Sequence, residues 1–291
     1  MTSLRDIKHR IQSIENIRKI TKAMKMISTV KLKRSQDALV RSRLYYTKLE
    51  RILENVLSTL TNDDMKKYPI LRENKNKNNV NLLVITANKG LCGAFNSALV
   101  KESKILIEKF QKTYKNITIE SFGKKAYAGL KHIEGIKLIN FQDAWIEDSF
   151  KMSKKIATQF YEQYQNNTAD SIWVVGNSFK SVMSQKLTVQ EIIPIQSTLE
   201  DTEKKDIEFD YEPSKHEILD FLIPKYFIAY IYKLLLESFT SEQAARMQAM
   251  ENASKSAKET FDILKIQYNR IRQANITREL IEIISGAESL K

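Results

Sequence analysis

The 291-residue sequence predicts an α/β protein in which the N- and C-terminal helices form a long antiparallel coiled coil around a central open, mostly parallel α/β sheet domain. Three observations predict it. From Met250 through Ala253, Ala257, Thr260, Leu264, Gln267 and Ile271 to Ala274, candidate seam residues recur at alternating steps of three and four, the spacing of a coiled coil. At the other end Leu4, Ile7, Ile11, Ile14, Ile17, Ile20, Met24 and Ile27 keep steps of three or four on one helix face. Between them, apolar runs of strand length alternate with helical patterns, which implies a sheet covered on both faces.

The first helix is expected over residues 1–60, with Ser3 and Asp6 as its capping start and Leu49, Ile52, Val56 and Leu60 resuming its apolar face. Residues 61–79 are polar, contain Pro69 and an asparagine cluster, and read as a linker loop. The α/β domain spans 80–213. Its strands are predicted at 80–86, 117–122, 136–141 and 171–179, with an added strand at 187–195, and its helices at about 95–114, 124–132 and 148–165. An acidic stretch, 199–213, closes at Pro213. Ser214 and Glu217 then form a capping-box pattern that opens the C-terminal helix, 214–291. Pro224 predicts a break or kink, with the long helix properly beginning around it.

Each terminal helix is long enough to reach on the order of 80 Å at about 1.5 Å per residue, which no small domain can bury. Another protein is therefore expected to cover its outer face. The charge points the same way. Residues 1–51 hold 14 Lys and Arg against four Asp and Glu, so +10 of the chain's +12 lies on the first helix. An exposed basic stripe calls for an acidic partner, whether phosphate backbone, anionic lipid or acidic protein loops, although a solvated face is the commoner meaning of such lysines.

Several classes are excluded. No window approaches a membrane span, and the first residues have neither the apolar segment of a secretory signal nor the composition of a transit peptide. The single cysteine, Cys92, allows no internal disulfide. The segment GLCGAFN, Gly90 to Asn96, sits between a buried strand and a helix, where doubly wound folds put phosphate loops. Its spacing fits neither a P-loop nor a dinucleotide fingerprint, so it reads as a tight structural turn. His9, His132 and His216 give Cys92 no triad-like context and provide no metal-ligand spacing. The acidic pairs Asp63-Asp64 and Glu147-Asp148 read as helix caps. No catalytic site, metal site or cofactor is expected.

Three segments carry a family resemblance: IRKITKAMKMISTVKLKRSQ (17–36), ANKGLCGAFNSAL (87–99), and the run from SEQAARMQAM through YNRIRQANITRELIEIISGA. With them the chain resembles the gamma subunits of F-type ATP synthases over nearly its whole length. The resemblance implies a central-stalk rotor. Its coiled coil would insert into a ring of three alpha and three beta subunits, while its α/β domain would rest on the c ring beside the epsilon subunit. Proton flow turns such a shaft, and nucleotide chemistry occurs in the beta subunits.

By position in the family motifs, Lys22, Met24 and Lys25 are expected beside acidic loops of the beta subunits, and Arg272, Gln273 and Thr277 at subunit contacts part-way along the shaft. Leu280, Ile281, Ile283, Ile284 and Leu290 would form an apolar tip, and Phe209, Tyr211 and Glu212 a foot touching the c ring or epsilon. Pro224 departs from the family, as does the lack of a partner for Cys92, which rules out the dithiol switch of chloroplast relatives. The expected setting is the cytoplasmic side of a bacterial inner membrane, bound peripherally through the complex, with no small-molecule substrate of its own and no nucleic acid. Two other readings remain: a nucleic-acid binder using the basic helix, and a nucleotide-dependent enzyme using GLCGAFN.

Overall fold

A computed structural model describes residues 4–65, 67–71, 77–141, 148–195, 211–212 and 214–288. Ser3, Glu147, Phe209, Pro213, Leu290 and most of the acidic stretch 199–213 therefore lie outside the described residues. Helix α1 runs Leu4–Ser58 and is followed by a short α2, Asn62–Met65, and a 3-10 turn, Pro69–Leu71. The sheet domain then alternates: β1 Asn79–Ile85, α3 Phe95–Thr113, β2 Asn116–Phe122, α4 Lys124–Leu130, β3 Ile136–Phe141, α5 Ser149–Gln165, β4 Ser171–Phe179 and β5 Gln185–Ile193. Helix α6 occupies Lys215–Glu288. The chain divides into two compact units, residues 1–29 with 246–291, and residues 30–245.

In the larger unit the strand order is β3-β2-β1-β4-β5. The first four strands are parallel, and β5 is antiparallel to β4 at the edge, with a register irregularity at Ile172/Trp173. Strand alternation sends side chains to two buried faces. Val80, Leu82, Val84, Ile117 and Ile119 pack with α3 and α4 through Leu99, Ile107, Phe110 and Leu130. Leu83, Ile85, Phe122, Ile172 and Val174 face Ile156 and Phe160 of α5, together with the α1 and α6 segments of this unit through Leu53, Val56, Ile223 and Phe227. The sheet is thus covered on both sides, as its continuous apolar strands require.

The structure corrects the expected break at Pro224 and the later start of the helix. Helix α6 begins at Lys215, with Ser214 Oγ accepting from the Glu217 backbone N–H at 3.3 Å, and it continues through the proline. A proline inside a helix costs about 3 kcal/mol. Leu219, Leu222, Ile223, Tyr226 and Phe227 are all buried around it, and each such side chain returns about 1.5–3 kcal/mol on burial. Packing on both sides of Pro224 outweighs the lost helix bond.

Candidate functional site

The smaller unit pairs the start of α1 with the last part of α6. Lys25 forms an ion pair with Glu251, and the Arg18 guanidinium lies 5.4 Å from the centre of the Phe261 ring. As one number falls the other rises, so the two segments are antiparallel. Their buried and half-buried positions include Leu4, Ile7, Ile11, Ile14, Arg18, Thr21, Lys25 and Ser28 on α1, against Met250, Ser254, Ala257, Phe261, Leu264, Tyr268, Ile271 and Asn275 on α6, with the expected seam residues Met24 and Ala253 half-buried beside them.

This seam differs from the expected one in a defined way. Leu4 to Ile14 hold their places, but Ile17, Ile20 and Ile27 are 46%, 59% and 57% exposed. Two successive steps of three, from Ile14 to Ile20, carry a side chain about 100° off a seam that repeats every 3.5 residues. The helix keeps its register, burying Thr21 and Ser28 and half-burying Arg18 in their stead. On α6 the line Met250, Ala257, Leu264, Ile271 stands, while Thr260, Gln267 and Ala274 are exposed and Phe261 and Tyr268 take the intervening places. The seam is therefore filled by aromatic rings as well as small residues. Further along α1, Ile52 is exposed and Leu53 is buried, by the same register.

The consequence is an apolar outer surface. Ile17, Ile20, Met26 and Ile27 on α1, and Ile263, Ile266, Ile276, Leu280, Ile281, Ile283 and Ile284 on α6, are all exposed. Beyond Asn275, every side chain described through Ala287 is exposed, so the apolar residues at 280–284 point outward on several sides. Exposed apolar clusters of this extent mark surfaces that another macromolecule covers. Among the remaining expected contact residues, Lys22, Arg272 and Gln273 are exposed, Met24 is half-buried, and exposed Thr277 donates its hydroxyl to the Gln273 carbonyl at 3.0 Å. Lys25 is half-exposed and finds its carboxylate, Glu251, within the chain. In the larger unit Tyr211 is half-buried with the Lys215 ammonium 5.2 Å from its ring centre, and Glu212 is exposed.

The sheet's carboxyl edge, where an open α/β fold binds its ligands, is filled by the chain itself. Ser238 of α6 donates to the Ile85 carbonyl at the end of β1 at 3.4 Å. Phe239 packs edge-on against Phe122 at the end of β2, with ring centres 5.9 Å apart. Arg43 of α1 donates to the Phe179 carbonyl at the end of β4 at 2.6 Å. The strand-to-helix turn is closed in the same manner. Asn96 Oδ1 accepts from the Ala87 N–H at 3.0 Å, Asn88 Oδ1 from the Lys124 N–H at 3.0 Å, and Thr86 Oγ1 from the Ala126 N–H at 2.8 Å. These bonds tie the turn to β1 and α4, and at the start of α3 the Phe95 N–H donates to the Cys92 carbonyl at 3.2 Å. Cys92 is buried, and the Asn96 amide donates to its Sγ at 3.1 Å. His216 belongs to a different group, 3.2 Å from Asp64 and from the Tyr68 hydroxyl. Among the described residues no group of three His, Cys, Asp or Glu is placed to hold a metal, and no helix is long and apolar enough to cross a membrane.

Comparison with known proteins agrees with this layout. The model of a family described as ATP synthase matches residues 3–290. The ATP synthase gamma chain of Geobacter metallireducens is 40% identical, and that of Geotalea daltonii 39%, each over 100% of both chains. A chain of the Euglena gracilis mitochondrial ATP synthase rotor superposes with a TM-score of 0.63 at 22% identity, covering 94% of this chain and 98% of that one, a likeness of fold.

Proposed function

The chain belongs to the ATP synthase gamma-chain family, and on that premise we propose that it is the central-stalk shaft of a proton-translocating F-type ATP synthase. Its partners are three alpha and three beta subunits around the helical unit, and the epsilon subunit and c ring at the α/β domain. It carries torque and performs no chemistry of its own; ATP is made and hydrolysed in the beta subunits. It is bound peripherally, through the complex, on the cytoplasmic side of a bacterial inner membrane.

The observation that carries this reading is the outward apolar surface at Leu280, Ile281, Ile283 and Ile284 on a helix already paired further back. An apolar sleeve suits such a tip, and Leu290 belongs to it by position. Phosphate backbone does not, since nucleic-acid contacts draw on cationic and polar groups. The closed turn and the filled sheet edge likewise speak against a nucleotide site in this chain. Lys22, Met24 and Lys25, with Arg272, Gln273 and Thr277, form the sliding surface of the shaft, and Phe209, Tyr211 and Glu212 the foot. In functional terms the chain divides into an N-terminal helix (1–60), a linker (61–79), a torque-receiving domain (80–213) and a C-terminal helix (214–291).

Co-expression with cognate alpha and beta subunits, followed by purification through a tag on beta, tests the assignment. One copy of this chain per three alpha-beta pairs, with ATP hydrolysis dependent on it, is the expected result. A chain that stays apart and binds DNA or ATP alone would overturn it. A sliding surface also predicts weak individual contacts, because an exposed ion pair contributes about 1 kcal/mol or less. Lys25→Ala, whose charge is already met by Glu251, should leave ATP synthesis within about two-fold of wild type. Replacing Lys19, Lys22 and Lys25 together should lower ATP-driven proton pumping measurably more than any one of them. Loss of synthesis in an assembled Lys25→Ala complex would contradict this.

A further inference from the structure

We propose that Arg43, Glu237 and the Phe179 carbonyl form a torsional lock that makes α1, α6 and the sheet of the larger unit turn as one piece, an inference that rests on the shaft reading above. One guanidinium joins three elements. From α1, Arg43 donates through Nε and Nη2 to Glu237 Oε1 of α6 at 3.1 and 2.9 Å, and Nη2 also reaches the Phe179 carbonyl of β4 at 2.6 Å. The Glu237 side chain is only 7% exposed, so the pair is shielded from water on the carboxylate side. A second layer lies one turn away. The Lys233 ammonium sits 3.9 Å from the centre of the Tyr46 ring and 5.3 Å from that of Tyr230. Tyr46 donates its hydroxyl to Glu50, and its oxygen lies 3.1 Å from that of Tyr226. Arg43 and Lys233 thus offset Glu50 and Glu237 within a mostly buried, hydrogen-bonded stack.

The need for such a device follows from the seam around it. Buried positions of α1 in this unit include Ser35 and Ser42 beside Leu32 and Leu39. Small and aliphatic contacts hold helices together but have no preferred direction, so they resist separation better than rotation. Charge-assisted hydrogen bonds from a planar fork are directional and stiff. Arg43 is the described side chain that bonds α6 and the end of a central strand at once. Torque delivered to the sheet domain is passed through it to both long helices.

The test uses the assembled synthase in inverted membrane vesicles, with ATP hydrolysis and ATP-driven proton pumping measured on the same preparation. Arg43→Met keeps the aliphatic stem and loses every donor, so it cannot hold Glu237 and the Phe179 carbonyl together. Protons pumped per ATP are expected to fall at least three-fold while assembly and hydrolysis stay within two-fold of wild type. Glu237→Gln, which keeps an acceptor at Oε1 and loses the charge, is expected to lose less. A contact that serves only stability would lower the melting temperature and leave the ratio unchanged, and an unchanged ratio in both assembled variants overturns the lock. So does failure of both variants to assemble, since the contact would then be a requirement of folding. Wild-type chain is read in parallel: without its co-purification the shaft reading and the lock fall together, whereas wild-type assembly with equal ratios overturns the lock alone.

Discussion

Gly123→Ala is expected to destabilise the sheet domain by about 4 kcal/mol, the sum of backbone strain and overpacking at one position. Gly123 lies between β2 and α4 with φ +96°, a conformation that side chains rarely adopt. A Cβ placed there would be 2.3 Å from the Thr86 carbonyl oxygen and 2.9 Å from its Oγ1. Thr86 cannot yield. Its N–H donates to the Phe122 carbonyl at 2.8 Å and its hydroxyl oxygen accepts from the Ala126 N–H, so it ties the ends of β1 and β2 to the start of α4. Urea unfolding of the full chain, followed by the fluorescence of Trp173 in β4, checks the prediction. A midpoint shift equivalent to less than about 1 kcal/mol would mean that the junction relaxes and that its closed geometry is not rigid.

Glu120→Gln is expected to stabilise the chain at pH 8 and to leave it unchanged at pH 4. Glu120 is fully buried on β2, accepts one hydrogen bond from the Gln159 amide at 2.8 Å through Oε1, and has no hydrogen-bond partner at Oε2. Burial pushes its carboxyl up from 4.5 to about 7, against a smaller opposing pull from the Gln163 amide. The folded state therefore keeps its proton between pH 4.5 and about 7 while the unfolded state releases it. Stability from this group is complete below 4.5, falls as pH rises, and is lost above about 7. The full span is about 3 kcal/mol, from about 1.4 kcal/mol per pH unit. Because the amide lacks an acceptor just as the protonated acid does, the two chains match at pH 4 and the gain at pH 8 should be the full span, about 3 kcal/mol. Denaturant titrations of both chains from pH 4 to pH 8 check it, and a variant less stable than wild type at pH 8 would contradict it.

Much of the fold is legible in residues alone because buried parallel strands announce themselves. VNLLVIT reads as a strand over 80–86 and forms one at Asn79–Ile85, and SIWVVGNSF is β4 without adjustment. On α1 the seam is legible only as far as Ile14, since a half-buried Arg18 or Lys25 looks like surface and an exposed Ile20 looks like core. Holding the 3.5-residue register fixed from Leu4 would have found Thr21 and Ser28, whose small size hides them. Glu120 escaped because nothing in ITIESF distinguishes a buried glutamate from one at an exposed strand position. The apolar run from Leu280 to Ile284 was plain because neighbouring positions cannot all face one partner helix. Arg43 and Glu237 stand 194 residues apart, beyond any spacing pattern, and only the fold brings them together.

Rotation of the chain inside an assembled complex tests the shaft assignment most directly. Cys92 is buried, so Lys109→Cys on the exposed side of α3 provides an accessible thiol for a bead or gold rod. With the complex anchored through its beta subunits and ATP supplied, continuous rotation in one direction is expected, with one dwell per catalytic site. Steady hydrolysis with a stationary probe on a chain that has remained bound would contradict it.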